Sequence, residues 1–134
     1  MAREDIPSVD GWLREAKALQ AAGEIGMYII HNGVVRATAK QEARYGKPCG
    51  AVTGMELSYD AARVAAAVGK AEAMPGTKLV RLWLNDGELK VGDDIMYVLI
   101  GGDIRPNVIA ALETLVDELK NECLAEKERF ASKY

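Results

Sequence analysis

Residues 78–106 read KLVRLWLNDGELKVGDDIMYVLIGGDIRP, and the reading of this stretch decides the fold class. Between Lys78 and Asn85, Leu79, Arg81, Trp83 and Asn85 alternate with Val80, Leu82 and Leu84, which is the two-faced pattern of a strand. The segment NDGELKVGDD then predicts a hairpin or meander, with a small extra hairpin at Glu88 to Val91. Asp94 to Ile100 is the last central strand, and its run Ile95 to Ile100 has the length of a strand buried on both faces. Gly101-Gly102-Asp103-Ile104-Arg105-Pro106 opens a final helix, with Pro near the first turn where a missing N–H costs least. Val108, Leu112, Leu115, Leu119 and Cys123 recur every three or four residues and form its buried stripe.

Outward from this stretch, Pro75-Gly76 makes a turn, and Asp60 caps a helix running to about Ala73 whose alanines favour helix and close packing on a sheet. Val52 to Tyr59 alternates as a strand with Met55, Leu57 and Tyr59 on one side. Residues 37–50, ATAKQEARYGKPCG, show no apolar period and predict a long exposed loop, of a length that is usually functional or mobile. Before it lies GMYIIHNGVVR, residues 26–36, a strand interrupted at Gly33 by a bulge or a close approach. Ser8 or Asp10 caps a first helix carrying Trp12, Leu13, Ala16 and Leu19, with Gly23 as its stop. The expected order is α-β-β-α-β-β-α. Helices separated by strand pairs define an α+β domain over residues 1–134, with a mixed or antiparallel sheet and not a doubly wound parallel one.

Composition narrows the chemistry. Lys and Arg number 17 against 20 Asp and Glu, a net charge of −3, which argues against a general nucleic-acid binder. A single histidine excludes multi-His zinc chemistry, and Cys49 and Cys123, with no CxxC, build neither a disulfide framework nor a thiol-rich metal site. No cofactor is called for. The N-terminus MAREDIPSVDGW lacks the apolar run of a signal peptide, and no stretch reaches the length of a membrane span. A soluble cytoplasmic protein is the expectation.

Basic side chains are the informative group. On a continuous final helix, Lys120 and Lys127 are seven apart and fall on one face, about 10 Å from each other. At the edge of an apolar stripe an amine is partly desolvated and gains reactivity. The plainer reading is a pair of snorkelling lysines with Glu126 and Glu128 as neighbours. Arg105, at the mouth of the final helix, suits an anion site, although Asp103 stands two residues away to neutralise it. Arg36 closes the first strand beside the loop, where binding residues concentrate. His31, mid-strand, reads as a hydrogen-bonded structural residue, Cys123 as core packing, and Cys49 as a loop thiol with only Lys47 to activate it.

These segments, in this order, resemble the large, catalytic subunit of molybdopterin synthase (the MoaE family) over roughly residues 25–130. The carrying stretches are GMYIIHNGVVR with its following loop, LWLNDGELKVGDDIMYVLIGGDIR, and AALETLVDELK. The resemblance implies that Arg36 and Arg105 bind substrate and that Lys120 and Lys127 are catalytic, Lys120 as the primary amine. It further implies an α/β-hammerhead fold and a homodimer. Each outer end of that dimer would bind a small ubiquitin-like sulfur carrier ending in Gly-Gly. The carrier's thiocarboxylate would deliver sulfur to cyclic pyranopterin monophosphate, forming the dithiolene of molybdopterin. The chain departs from the family pattern at Ile104, where a His is usual, at Leu84-Asn85 in place of a His-Arg pair, and at Leu124-Ala125-Glu126 in place of a Pro-aromatic-Trp segment. Two functions follow. One is a working sulfurtransferase subunit; the other is a divergent, non-catalytic homologue that dimerises and binds a carrier-like protein or a pterin.

Overall fold

The computed structural model describes residues 5–46 and 50–131. Its elements run α1 (Val9–Lys17), a 3-10 turn (Gln20–Glu24), β1 (Met27–Val34), α2 (Lys40–Tyr45), β2 (Val52–Tyr59) and α3 (Ala61–Glu72). They continue with β3 (Thr77–Leu84), β4 (Gly87–Lys90), β5 (Asp94–Gly102), α4 (Arg105–Glu118), a π-helical turn (Leu119–Cys123) and β6 (Leu124–Phe130). The fold is α+β, and between the open options every strand pairing is antiparallel: one sheet has the order β1-β5-β3, the other β4-β2-β6.

Strand β5 is central to the first sheet, and the apolar run Ile95 to Ile100 is buried apart from Tyr97, which is half-buried. A strand covered on both faces needs no polar alternation, so its sequence reads as a continuous apolar run. Val98 pairs with His31 on one side and Leu82 on the other, which sets the register of the whole sheet. The face carrying Met96, Val98 and Ile100 packs with Val108, Ala111 and Leu115 of α4 and with Met55, Leu57 and Leu89 of the second sheet. On the opposite face Trp83 meets Tyr97 with ring centroids 5.9 Å apart, and Arg81 pairs with Glu15 of α1.

Local signals explain the helix starts. The Ser8 hydroxyl accepts from the Gly11 N–H at 3.1 Å, and the Asp60 carboxylate accepts from the Arg63 N–H at 3.1 Å. Each satisfies a donor that the first helical turn leaves unpaired. Ala67 and Ala71 of α3 are fully buried, so their small side chains let this helix lie close to its neighbours. The interruption expected at Gly33 is present as a register shift between Gly33 and Val34.

Three expectations need correction. The first helix ends at Lys17 and not at Gly23, because Leu19 is extended and exposed and the buried stripe stops at Ala16. The loop after β1 is not structureless: it holds the short helix α2, and Thr38 bridges Ala51 across its base. Most consequentially, the last helix does not continue to Lys127. It widens into the π turn after Glu118, and the chain reverses into β6, an edge strand paired with β2. Lys120 and Lys127 therefore do not share a helix face. The physical cause is the buried Leu119 and Cys123, which hold the turn in the core, together with the unpaired edge of β2 that β6 completes. No described helix is long and apolar enough to cross a membrane.

Leu119 is fully buried and carries the turn on which Lys120 stands. Replacing it by Ala removes buried methyl groups and leaves a cavity, so Leu119→Ala is expected to lose about 2–5 kcal/mol. Urea unfolding measures this, with Ile104→Ala, at an exposed position, staying within about 0.5 kcal/mol of the unaltered protein.

Candidate functional site

Where the two sheets meet, a cavity of about 450 Å³ opens. Its apolar floor is Met55 of β2 with Ile95 and Met96 of β5. The wall from β1 contributes His31, Gly33 and Val34, followed by Arg36; α2 adds Lys40 and Arg44; the π turn adds Lys120; β6 adds Glu126 and Glu128. Four cationic side chains thus face two carboxylates and one imidazole. That balance favours an anionic occupant, and the volume falls within the usual range for small-molecule sites of about 300–1,000 Å³.

Backbone alternation places these groups. Along β6, Glu126 and Glu128 point inward while Ala125 and Lys127 point to solvent, the strand period of two. The Lys120 Nζ lies 3.5 Å from Glu126 Oε1, with the Lys120 side chain one-third exposed and the Glu126 side chain more deeply buried. That oxygen is buried and has no properly aligned hydrogen bond, so the lysine balances its charge without fully satisfying it. Glu128 Oε2 accepts from the Lys40 backbone N–H at 3.0 Å, which ties the start of α2 to β6. Arg36 Nε donates to the Thr38 carbonyl at 3.4 Å, a long bond that leaves most of the guanidinium's donors uncommitted to it.

His31, read from the sequence as a hydrogen-bonded structural residue, lines the wall of this cavity. Burial lowers its imidazole pKa, and the positive charge of Lys120 lowers it further. Gly33, two residues on, lies close by: a Cβ built there would stand 3.5 Å from Met96 Cγ, 3.7 Å from Ile95 Cβ and 3.9 Å from His31 Nε2, all ordinary contacts.

Of the basic residues singled out from sequence, Arg36 and Lys120 come together in the cavity. Lys127 is exposed on the outer face of β6, opposite Glu56 in the strand register. Arg105 is exposed in the first turn of α4, also outside the cavity wall. Beside it, Asp103 Oδ1 accepts from the Ile104 N–H at 2.6 Å and from Asn107 Nδ2 at 2.9 Å. Those bonds, the Asn107 one foremost, hold the Asp103 carboxyl below the usual carboxylate range. Cys123 is buried, as its place in the stripe required, and burial raises its thiol pKa. Cys49 lies outside the described residues. Sequence reasoning missed Lys40, Arg44, Glu126 and Glu128. The alternation in LAEKERF was the available signal, hidden because the inward residues of this strand are acids.

The fold and this cavity define a class: an α+β protein of two antiparallel three-stranded sheets with a cationic pocket at their junction. Solved structures share the architecture. Molybdopterin synthase from Staphylococcus aureus superposes with a TM-score of 0.71 at 16% identity, covering 96% of this chain and 88% of the other. The molybdopterin biosynthesis MoaE protein from Burkholderia ambifaria gives 0.67 at 21% identity, covering 95% and 82%. A complex of subunits 1 and 2 of the molybdopterin-converting factor from Helicobacter pylori gives 0.62 at 15% identity, covering 93% and 82%. A search of curated proteins finds no significant match. The family model described as MoaE protein matches residues 10–122, so the chain belongs to the MoaE protein family. Its place is accordingly in molybdenum cofactor biosynthesis, in the family of the catalytic subunit of molybdopterin synthase.

The direction of the His31 shift carries a stability consequence. A histidine whose folded-state pKa is lowered binds a proton more readily when unfolded. Stability is then fully retained above the ordinary imidazole pKa and is lost as pH falls through the lowered, folded-state value. The melting temperature should drop through this weakly acidic window, and His31→Gln should flatten the drop. Equal drops in both proteins would contradict the assignment.

Proposed function

We propose that the protein transfers sulfur from the thiocarboxylated C-terminal Gly-Gly of a small ubiquitin-like carrier to cyclic pyranopterin monophosphate, forming the molybdopterin dithiolene. The observation that carries this reading is the meeting of Arg36 and Lys120 in one cavity of a MoaE-family chain. A fork of guanidinium donors suits the substrate phosphate or the carrier's terminal carboxylate, and Arg36 supplies it. Lys120, as an ammonium, stabilises negative charge that develops on the carrier's carbonyl oxygen as sulfur changes hands. The apolar floor of Met55, Ile95 and Met96 suits the flat pterin ring.

In this reading the partner is the small carrier, in keeping with the two-subunit complex described for the Helicobacter pylori protein. The protein works as a homodimer in the cytoplasm. Arg105 and Lys127, exposed and outside the cavity of the single chain, serve the surface around the bound carrier or the second copy. Arg105 would hold substrate anions there, and Lys127 would be the second catalytic cation.

One observation favours the alternative of a non-catalytic binder. Glu126 holds Lys120 in an ion pair, and an amine so engaged is less available to substrate. The two readings separate in one assay. Mixing the protein with thiocarboxylated carrier and cyclic pyranopterin monophosphate should yield molybdopterin. Lys120→Ala should reduce the rate at least about a hundredfold, the usual cost of losing one stabiliser of developing charge. Arg36→Ala should raise KM for the pterin more than it lowers kcat. Carrier binding without turnover in both the unaltered protein and Lys120→Ala would establish the binder instead.

A further inference from the structure

The sulfur-transfer reading leaves one chemical requirement unassigned. Once the carrier's sulfur is bonded to a pterin carbon, that sulfur still bears the carrier's acyl group as a thioester. To free the pterin, water must add its oxygen to the thioester carbonyl carbon. The carbon–sulfur bond then breaks with its electron pair left on sulfur. One water proton needs a base; the other, lost from the new carboxyl group, goes to the pterin thiolate. The products are carrier carboxylate and pterin thiol, with no net oxidation or reduction.

We infer that His31, in the wall of the cavity beside Lys120 and Arg36, is that base. The assignment rests on the sulfur-transfer reading and extends it to a residue outside the set that the family resemblance supplied.

Elimination within the cavity supports it. The groups facing His31 are Lys120 from the π turn, Arg36 after β1, Lys40 and Arg44 from α2, and Glu126 and Glu128 from β6; β2 and β5 contribute only apolar side chains. Lys120 lies in an ion pair with Glu126. Arginine is a donor only. Glu126 faces Lys120 in that ion pair, and Glu128 accepts the Lys40 N–H that anchors α2. The chain has one histidine, and the fold places it in this cavity. Burial first, and then the charge of Lys120, disfavours its protonated form. His31 afterwards returns its proton to solvent.

The test is turnover of thiocarboxylated carrier and cyclic pyranopterin monophosphate by the unaltered protein and by His31→Gln, followed across pH, with mass spectrometry of the carrier. The glutamine should lower kcat on the order of a hundredfold, the range of general-base catalysis, with KM little changed. The acid limb of the pH profile should disappear, and a covalent carrier–pterin thioester should accumulate. In His31→Ala, which tests the same point if the glutamine misfolds, added imidazole should restore part of the rate. Product formation by His31→Gln within threefold of the unaltered protein, with the acid limb intact, would overturn the role of His31 and leave sulfur transfer standing. Absence of imidazole rescue in a folded His31→Ala would overturn it likewise. No product from the unaltered protein would instead remove the sulfur-transfer reading, and this inference with it.

Discussion

The antiparallel pairing of β6 with β2 is the constraint on which the cavity depends. Seven residues, Leu124–Phe130, complete the second sheet along an edge that would otherwise expose its backbone donors and acceptors. To reach that edge the chain must leave α4 abruptly, and the π turn Leu119–Cys123 makes the reversal. Buried Leu119 and Cys123 anchor the turn in the same core that seats α4 on β5. Once the register is set, Met55 opposite Glu128 and Leu57 opposite Glu126, the positions of both cavity carboxylates follow. So does that of Lys120, which leaves the turn at the mouth of the cavity. A slip of one residue in this pairing would turn both glutamates outward and bring Lys127 in. Sheet register therefore decides which charge faces the cavity.

The readable parts of the sequence were those whose signal is apolar. Strand β5, buried on both faces, announces itself by the unbroken run Ile95 to Ile100, and α4 by the stripe that includes Val108, Leu115 and Leu119. Caps at Ser8 and Asp60 and the bulge at Gly33 have local causes and were equally legible. Strand β6 was not. Its alternation places glutamates inward and a lysine outward, so an apolar-periodicity reading finds nothing and lets the preceding helix run on. The cavity thus hid the strand that builds it, because a polar site demands inward polar residues.

The same cause accounts for the uneven reading of the site. Arg36 and Lys120 were identified by resemblance, and they meet in the fold. Lys127 shared a face with Lys120 only on a helix that does not exist at that point. His31 looked structural because a lone mid-strand histidine carries no motif. Its environment comes from residues 36, 40, 44, 120, 126 and 128, and no local pattern could assemble those. Net charge misled in a similar way. A chain with an overall charge of −3 still concentrates four cations in one cavity, because its acids spread over the surface, as in the Glu56–Arg129–Glu88 cluster on the outer face of the second sheet.

Glu126 ties these observations to the chemistry. Under the proposed function, a carboxylate in this cavity raises the cost of binding an anion, since an incoming phosphate or carboxylate would compete with it for Lys120. The compensating effect is preorganisation. Without Glu126, a long lysine side chain at the rim would sample many rotamers and lose that freedom on binding, a cost of up to about 2 kcal/mol. With Glu126, Lys120 is already held beside His31 and inside the wall. The geometry of the pair, 3.5 Å apart without an aligned hydrogen bond, lets the ammonium be recruited by a better-placed acceptor without losing a strong bond. The segment Leu124-Ala125-Glu126 thus puts an internal counter-ion for Lys120 into the same cavity wall that His31 lines.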